Sequence, residues 1–155
     1  MASAQMSVQD ALWLTMDRSN NLMVIDGVMV LAGVPDFEDV RATFEDAVVR
    51  FPVLARRPVQ HGSKRFWEDV DDFSIDDHLS HVTLGPAADL AALEDFAAMR
   101  RSVSIDKERP LWTGFLFEPV AMADGSVGSA IITRFHHAIA DGVRLTQVLI
   151  GMCEP

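Results

Sequence analysis

Val127 to Gly142 reads VGSAIITRFHHAIADG, an apolar, β-branched run that ends in two adjacent histidines and passes into a loop with an aspartate and a glycine. The run predicts a strand. Beyond it Leu145, Val148, Leu149 and Met152 keep helical spacing, so Asp141 is expected to cap a helix that continues to the end of the chain. Side chains alternate along a strand, which puts Val127, Ser129, Ile131, Thr133, Phe135 and His137 on one face and Gly128, Ala130, Ile132, Arg134 and His136 on the other. The two histidines therefore cannot share a role: one is expected inside the fold, the other at a cleft. An imidazole that titrates near neutrality can take a proton from a hydroxyl or thiol and return it to a leaving group. Asp141 could orient such a site by touching a histidine or by pairing with a cation such as Arg134. Gly142 permits a sharp loop-to-helix turn.

Outward from this segment, Asp124-Gly125 is the residue pair of a tight hairpin turn, which makes the strand from Leu111 to Phe117, introduced by Pro110, the partner of Val127 to Phe135. Asp89 precedes Leu90, Leu93, Phe96 and Ala97, the inward face of a helix reaching Arg101. From Phe73 to Pro86 no period persists. Val53 to Val59 and Lys64 to Val70 read as two short strands around Gln60-His61-Gly62-Ser63. Asp36 caps an amphipathic helix carried by Phe37, Val40, Phe44, Ala47, Val48 and Phe51, which Pro52 ends. Leu22 to Ala32, apolar almost throughout, is expected as a central strand covered on both faces. Strands and helices alternate and hairpins occur, so the expected fold is α/β, a two-layer sandwich with a mixed sheet flanked by helices. No repeat or linker divides residues 1–155.

The chain has 155 residues, 49% of them hydrophobic, enough for one core. Thirteen Lys plus Arg against 23 Asp plus Glu leave a net charge of −10, which argues against nucleic acid as a partner. Cys153 is the single cysteine, so neither a disulfide framework nor a cysteine-based metal site arises within one chain. Met1 to Asp10 lacks a leader pattern, and Gly27 to Pro35, the longest uncharged apolar segment, is too short to span a bilayer; a soluble, cytoplasmic protein is expected. Six carboxylates between Glu68 and Asp77 predict a solvated loop. Arg56-Arg57 and Lys64-Arg65 read either as charged hairpin ends or as a phosphate contact. A metal held by His137 and Asp141 lacks a third ligand, since His61, His78 and His81 show no matching spacing; no metal and no cofactor are expected.

The pattern His-His-x-x-x-Asp-Gly after a strand resembles the signature of the acyl-CoA-dependent acyltransferase superfamily, which includes chloramphenicol acetyltransferase and peptide-synthetase condensation domains. Three further segments are similar to those of the bacterial wax ester synthase/diacylglycerol acyltransferase family. They are Phe51-Pro52-Val53-Leu54, Phe73 to Leu79 followed at the expected distance by Asp89 to Leu93, and Glu108-Arg109-Pro110-Leu111-Trp112. The resemblance covers nearly the whole chain in the right order. It implies one half of the chloramphenicol acetyltransferase-like fold. It further implies His137 as general base toward an acceptor alcohol, His136 as its motif partner, Asp141 as a residue that holds the loop, and Gly142 as the turn glycine. Pro110, Leu111, Trp112 and Arg144 become candidates for substrate contact, although a tryptophan after proline is also ordinary core.

The implied activity is transfer of a long-chain acyl group from acyl-CoA to an alcohol or a diacylglycerol, with acyl-CoA as co-substrate and a hydroxyl-bearing lipid as acceptor. A site near a membrane or lipid body goes with such substrates. The chain departs from the family in three places. Ser7-Val8-Gln9-Asp10 has valine where a Ser-Pro-x-Asp segment is common. Arg144 stands where a small residue is usual. The half of the family's fold that closes the substrate tunnel is not matched, so the isolated chain is expected to be inactive or weak unless a C-terminal half or second subunit completes it. Apolar surface left at that interface favours self-association. The alternative from another class is a truncated, non-catalytic module that binds lipid or a partner.

Overall fold

The computed structural model describes residues 3–83, 85, 88–139 and 142–153. Seven strands and four helices occur among them: β1 (Ser3–Gln5), α1 (Val8–Met16), β2 (Val24–Ala32), α2 (Phe37–Arg50), β3 (Arg56–His61), β4 (Lys64–Asp69), β5 (Leu79–Val82), α3 (Leu90–Arg101), β6 (Trp112–Ala121), β7 (Val127–His136) and α4 (Gly142–Cys153). A four-stranded mixed sheet in the order β2-β7-β6-β5 forms the body, antiparallel except between β5 and β6. A small antiparallel sheet, β1-β4-β3, stands beside it.

Local chemistry sets the elements. The Asp36 carboxylate accepts the Glu38 N–H at 2.8 Å and opens α2, and the Asp89 carboxylate accepts the Ala92 N–H at 3.1 Å and opens α3. Both hairpins turn through a glycine with positive φ, Gly62 at 62° and Gly125 at 82°, where a side chain would be strained.

The period of two along β6 and β7 builds two cores, one on each face of the sheet. Trp112, Leu116, Ile131 and Phe135 meet α2 on one face, where Phe44 lies parallel to Trp112 with centroids 5.5 Å apart. Phe115, Phe117, Ala130 and Ile132 meet Leu93 and Phe96 of α3 on the other. Each fully buried side chain of this size contributes roughly 1.5–3 kcal/mol, so this alternation is what fixes the register of β7 and the direction of its last residues.

Three expectations need correction. Leu22 to Ala32 is not a central strand: β2 is the edge of the sheet, and its Val28 and Val30 are 54% and 49% exposed. Ile25, Met29 and Leu31 pack into the core, whereas Val28 and Val30 line an open groove of about 520 Å³ beside α3. Apolar content alone does not require cover on both faces. The strand expected from Val53 starts at Arg56, because Pro52–Ala55 turn as a 3-10 helix. Phe73 to Pro86 is not irregular throughout, since it holds a 3-10 turn, Ile75–Asp77, and the short parallel strand β5.

The acidic run is largely solvated, with Asp71, Asp72, Asp76 and Asp77 exposed, and it also carries ion pairs. Asp69 pairs with Arg56 at 2.7 Å, Asp76 with Arg41 at 2.9 Å and Asp77 with Arg109 at 2.8 Å, so it ties α2, β3 and the approach to β6 together. Arg56 and Lys64 sit at the ends of the β3–β4 hairpin. Among the described residues no helix is long and apolar enough to cross a membrane.

Candidate active site

Strand β7 ends on His136 and leaves the sheet through His137. The His136 N–H donates to the Leu111 carbonyl at 3.0 Å, and the His137 N–H to the Met23 carbonyl at 2.8 Å. The backbone of the pair is therefore clamped from both sides. Alternation then separates the side chains: His136 is 1% exposed, while His137 is half-buried.

His136 is locked in one form. Its Nδ1 accepts the Ala138 N–H at 3.0 Å, so Nδ1 carries the lone pair and the proton sits on Nε2. That nitrogen faces Asp17 Oδ2 at 3.7 Å, too far for a hydrogen bond and close enough to feel the charge. Asp17 is itself anchored, accepting the Met23 N–H at 2.7 Å and meeting Lys107 Nζ at 2.7 Å. Burial pushes the Asp17 carboxyl upward, yet Lys107 and the Met23 N–H together hold it below the usual carboxylate range. Burial lowers the His136 imidazole to about 4; the pull of Asp17 opposes this, and Lys107 and His137 reinforce it. His136 is thus neutral at pH 7.

His137 differs in each respect. Its ring stacks on the indole of Trp13 in α1, with centroids 4.7 Å apart and planes inclined by 24°. Its Nδ1 is sealed from solvent and has no hydrogen-bond partner among the described residues. Nε2 is left as the nitrogen through which the ring can exchange a proton. Trp13 lies in α1 and Asp17 is its C-terminal cap, so the end of this helix meets both histidines. Sequence reasoning passed over α1, Asp17 and Lys107. A local signal existed: Ser7, three residues before Asp10, accepts its N–H at 3.0 Å and caps the helix.

Arg134 pairs with a carboxylate on the neighbouring strand. Its Nε donates to Asp26 Oδ1 at 2.9 Å and its guanidinium also reaches the Val103 carbonyl at 3.0 Å. Asp141 lies outside the described residues, as does the cap expected of it. Gly142 is the first residue of α4, and Arg144 follows in the first turn with its side chain outside the description. Pro110, Leu111 and Trp112 are buried, the last two to 0% and 1% exposure, and Pro110 borders an open pocket of about 280 Å³. Trp112 also braces the frame. Trp112 Nε1 donates to the Leu54 carbonyl at 2.8 Å, and the Trp112 carbonyl accepts from His78 Nδ1 at 2.9 Å. His78, between the rings of Phe73 and Trp112, is kept neutral by burial and acts as core. Among the described residues no three His, Cys, Asp or Glu side chains are grouped to hold a metal.

Residues 6–155 match the wax ester synthase/diacylglycerol acyltransferase catalytic domain. The chain belongs to this family. A Mycobacterium tuberculosis protein named as a diacylglycerol O-acyltransferase is 33% identical over 123 residues, which are 76% of this chain and 24% of that relative. The O-acyltransferase WSD of Acinetobacter baylyi is 25% identical over 139 residues, 86% of this chain and 29% of its own. Among solved structures, the wax ester synthase/diacylglycerol acyltransferase of Marinobacter aquaeolei VT8 superposes on 93% of this chain and 37% of its own, with a TM-score of 0.74 and 19% identity. The starter condensation domain of rhizomide synthetase covers 98% of this chain and 36% of its own, with a TM-score of 0.77 and 15% identity. These two likenesses carry the fold alone, and it is the α/β sandwich with a mixed sheet that the sequence implies. The family member described here spans about a quarter of the length of the curated relatives it matches.

Proposed function

We propose that this chain supplies the histidine-bearing half of an O-acyltransferase that moves a long-chain acyl group from acyl-CoA to an alcohol or a diacylglycerol, with His137 as general base. The observation that carries the reading is the contrast within the His136-His137 pair: one imidazole fixed and neutral, the next presented at the end of the strand.

An alcohol does not attack a thioester at neutral pH unless its proton is accepted as the new bond forms. In the proposed reaction His137 Nε2 takes the hydroxyl proton while the alcohol oxygen adds to the thioester carbonyl carbon. The tetrahedral adduct then expels the thiolate of CoA, which recovers that proton from the imidazolium, leaving an ester and a free thiol. A neutral His136 matters here, because a charged ring next door would oppose the proton's arrival on His137. Asp141 and Gly142 hold the loop and turn into α4 by resemblance to the family. A C-terminal half or second subunit supplies the rest of the tunnel, excluding water and aligning acyl-CoA and lipid acceptor.

The test is ester formation from a labelled long-chain acyl-CoA with an alcohol or a diacylglycerol, using this chain alone and with a homologous C-terminal half added. The reading expects ester that depends on His137 and rises when the second half is present. Ester formed equally well by His137→Ala rules out the base; no ester in any arm, from chains shown to be folded, favours a non-catalytic binding module.

A further inference from the structure

A base imidazole is commonly aimed by a hydrogen bond to its second nitrogen. His137 Nδ1 is sealed and makes no such bond among the described residues, while the backbone N–H of His137 is held by the Met23 carbonyl. What covers the ring is the indole of Trp13, at 4.7 Å and 24°.

The indole is well placed to act as a fixed wall. Trp13 sits in the last turns of α1, where the Asp17 N–H donates to its carbonyl at 3.1 Å. Asp17 in turn is fastened to Met23 and Lys107. The element that carries the wall is thus anchored, one turn on, at the residue that faces His136. An aromatic face also attracts a cation, so the same wall favours the imidazolium that forms when the ring takes a proton.

We propose that Trp13 is the positioning residue of His137, fixing the plane of its imidazole with Nε2 outward and supporting the charge it acquires. This rests on His137 being the base. Trp13 itself touches no substrate in this scheme. Its own Nε1 is buried without a partner among the described residues, so the ring face and not the N–H is the working part.

The experiment compares Trp13→Leu and Trp13→Phe with the unaltered chain. It records the long-range ¹H–¹⁵N spectrum of the His137 imidazole, assigned with His137→Ala, together with steady-state transfer by the chain supplemented with the second half. Loss of the wall is expected to shift the His137 ring signals, through loss of the indole ring current, and to broaden them by motion in Trp13→Leu, and to lower kcat ~10-fold with KM little changed. Trp13→Phe keeps a ring face and is expected to restore both readouts; it also deletes an unpaired buried donor, so folding is not the obstacle. An unchanged His137 spectrum in Trp13→Leu overturns the proposal, whatever the activity. If His137→Ala transfers acyl groups at the unaltered rate, the base reading fails instead, and the spectra still show whether Trp13 holds the ring.

Discussion

His136 and His137 are identical side chains on consecutive residues, yet the fold gives them opposite chemistry. The first points into a buried pocket made by Asp17 and Lys107 and is pushed to about 4 by burial. The second emerges half-buried against Trp13, with one nitrogen closed off. A one-residue step along a strand is enough to make this difference, because successive side chains point to opposite faces. Position relative to the sheet, rather than residue type, separates the buried, neutral ring from the half-buried one.

The brace is where the comparison can be broken most heavily. Asp17→Ala removes a buried carboxylate and strands the Met23 N–H, and is expected to lower unfolding free energy by about 2–4 kcal/mol, somewhat eased because Lys107 can turn to water. Urea unfolding measures this; a loss within error of zero would remove the anchor from the account.

Acid sharpens the same comparison. The unfolded chain takes a proton on a histidine near 6.5, whereas folded His136 resists it until about 4. The sign follows: stability is full above about 6.5, falls as pH drops toward 4, and levels off below, by up to about 3 kcal/mol. His78, also lowered by burial, adds in the same direction. Asp17, held below the usual carboxylate range, loses its contribution mainly below about 4, so most of the change above that pH belongs to the histidines. Unfolding midpoints at pH 7 and pH 4.5 check this, and His136→Phe is expected to flatten most of the slope.

Trp112→Phe is expected to have the smallest effect, about 1–2 kcal/mol, from the lost hydrogen bond to the Leu54 carbonyl and some buried area. Transfer by the fraction that remains folded should be unchanged. A large fall in kcat/KM in fully folded protein would instead make Trp112 a substrate contact.

Much of the frame was legible because its signals are local. Asp36 and Asp89 announce α2 and α3, and Asp124-Gly125 announces the β6–β7 hairpin, each within a few residues of what it controls. The alternation that separates His136 from His137 was legible for the same reason. What escaped depends on distance. Lys107 meets Asp17 across 90 residues of chain, and nothing near either residue specifies the other. Arg134 finds Asp26 on the neighbouring strand because strand pairing sets them opposite one another, across 108 residues of chain. The edge position of β2 was hidden by its apolar content, and α1 by its exposed Val8 and Leu12, which blur its amphipathic pattern.

The most direct measurement sets two variants side by side, His137→Ala and His136→Ala, each followed by melting temperature and by acyl transfer with the second half supplied. The account predicts that His137→Ala melts near the unaltered chain while its rate falls about 10²–10⁴-fold, and that His136→Ala melts markedly lower. Near-normal transfer by folded His137→Ala would contradict it.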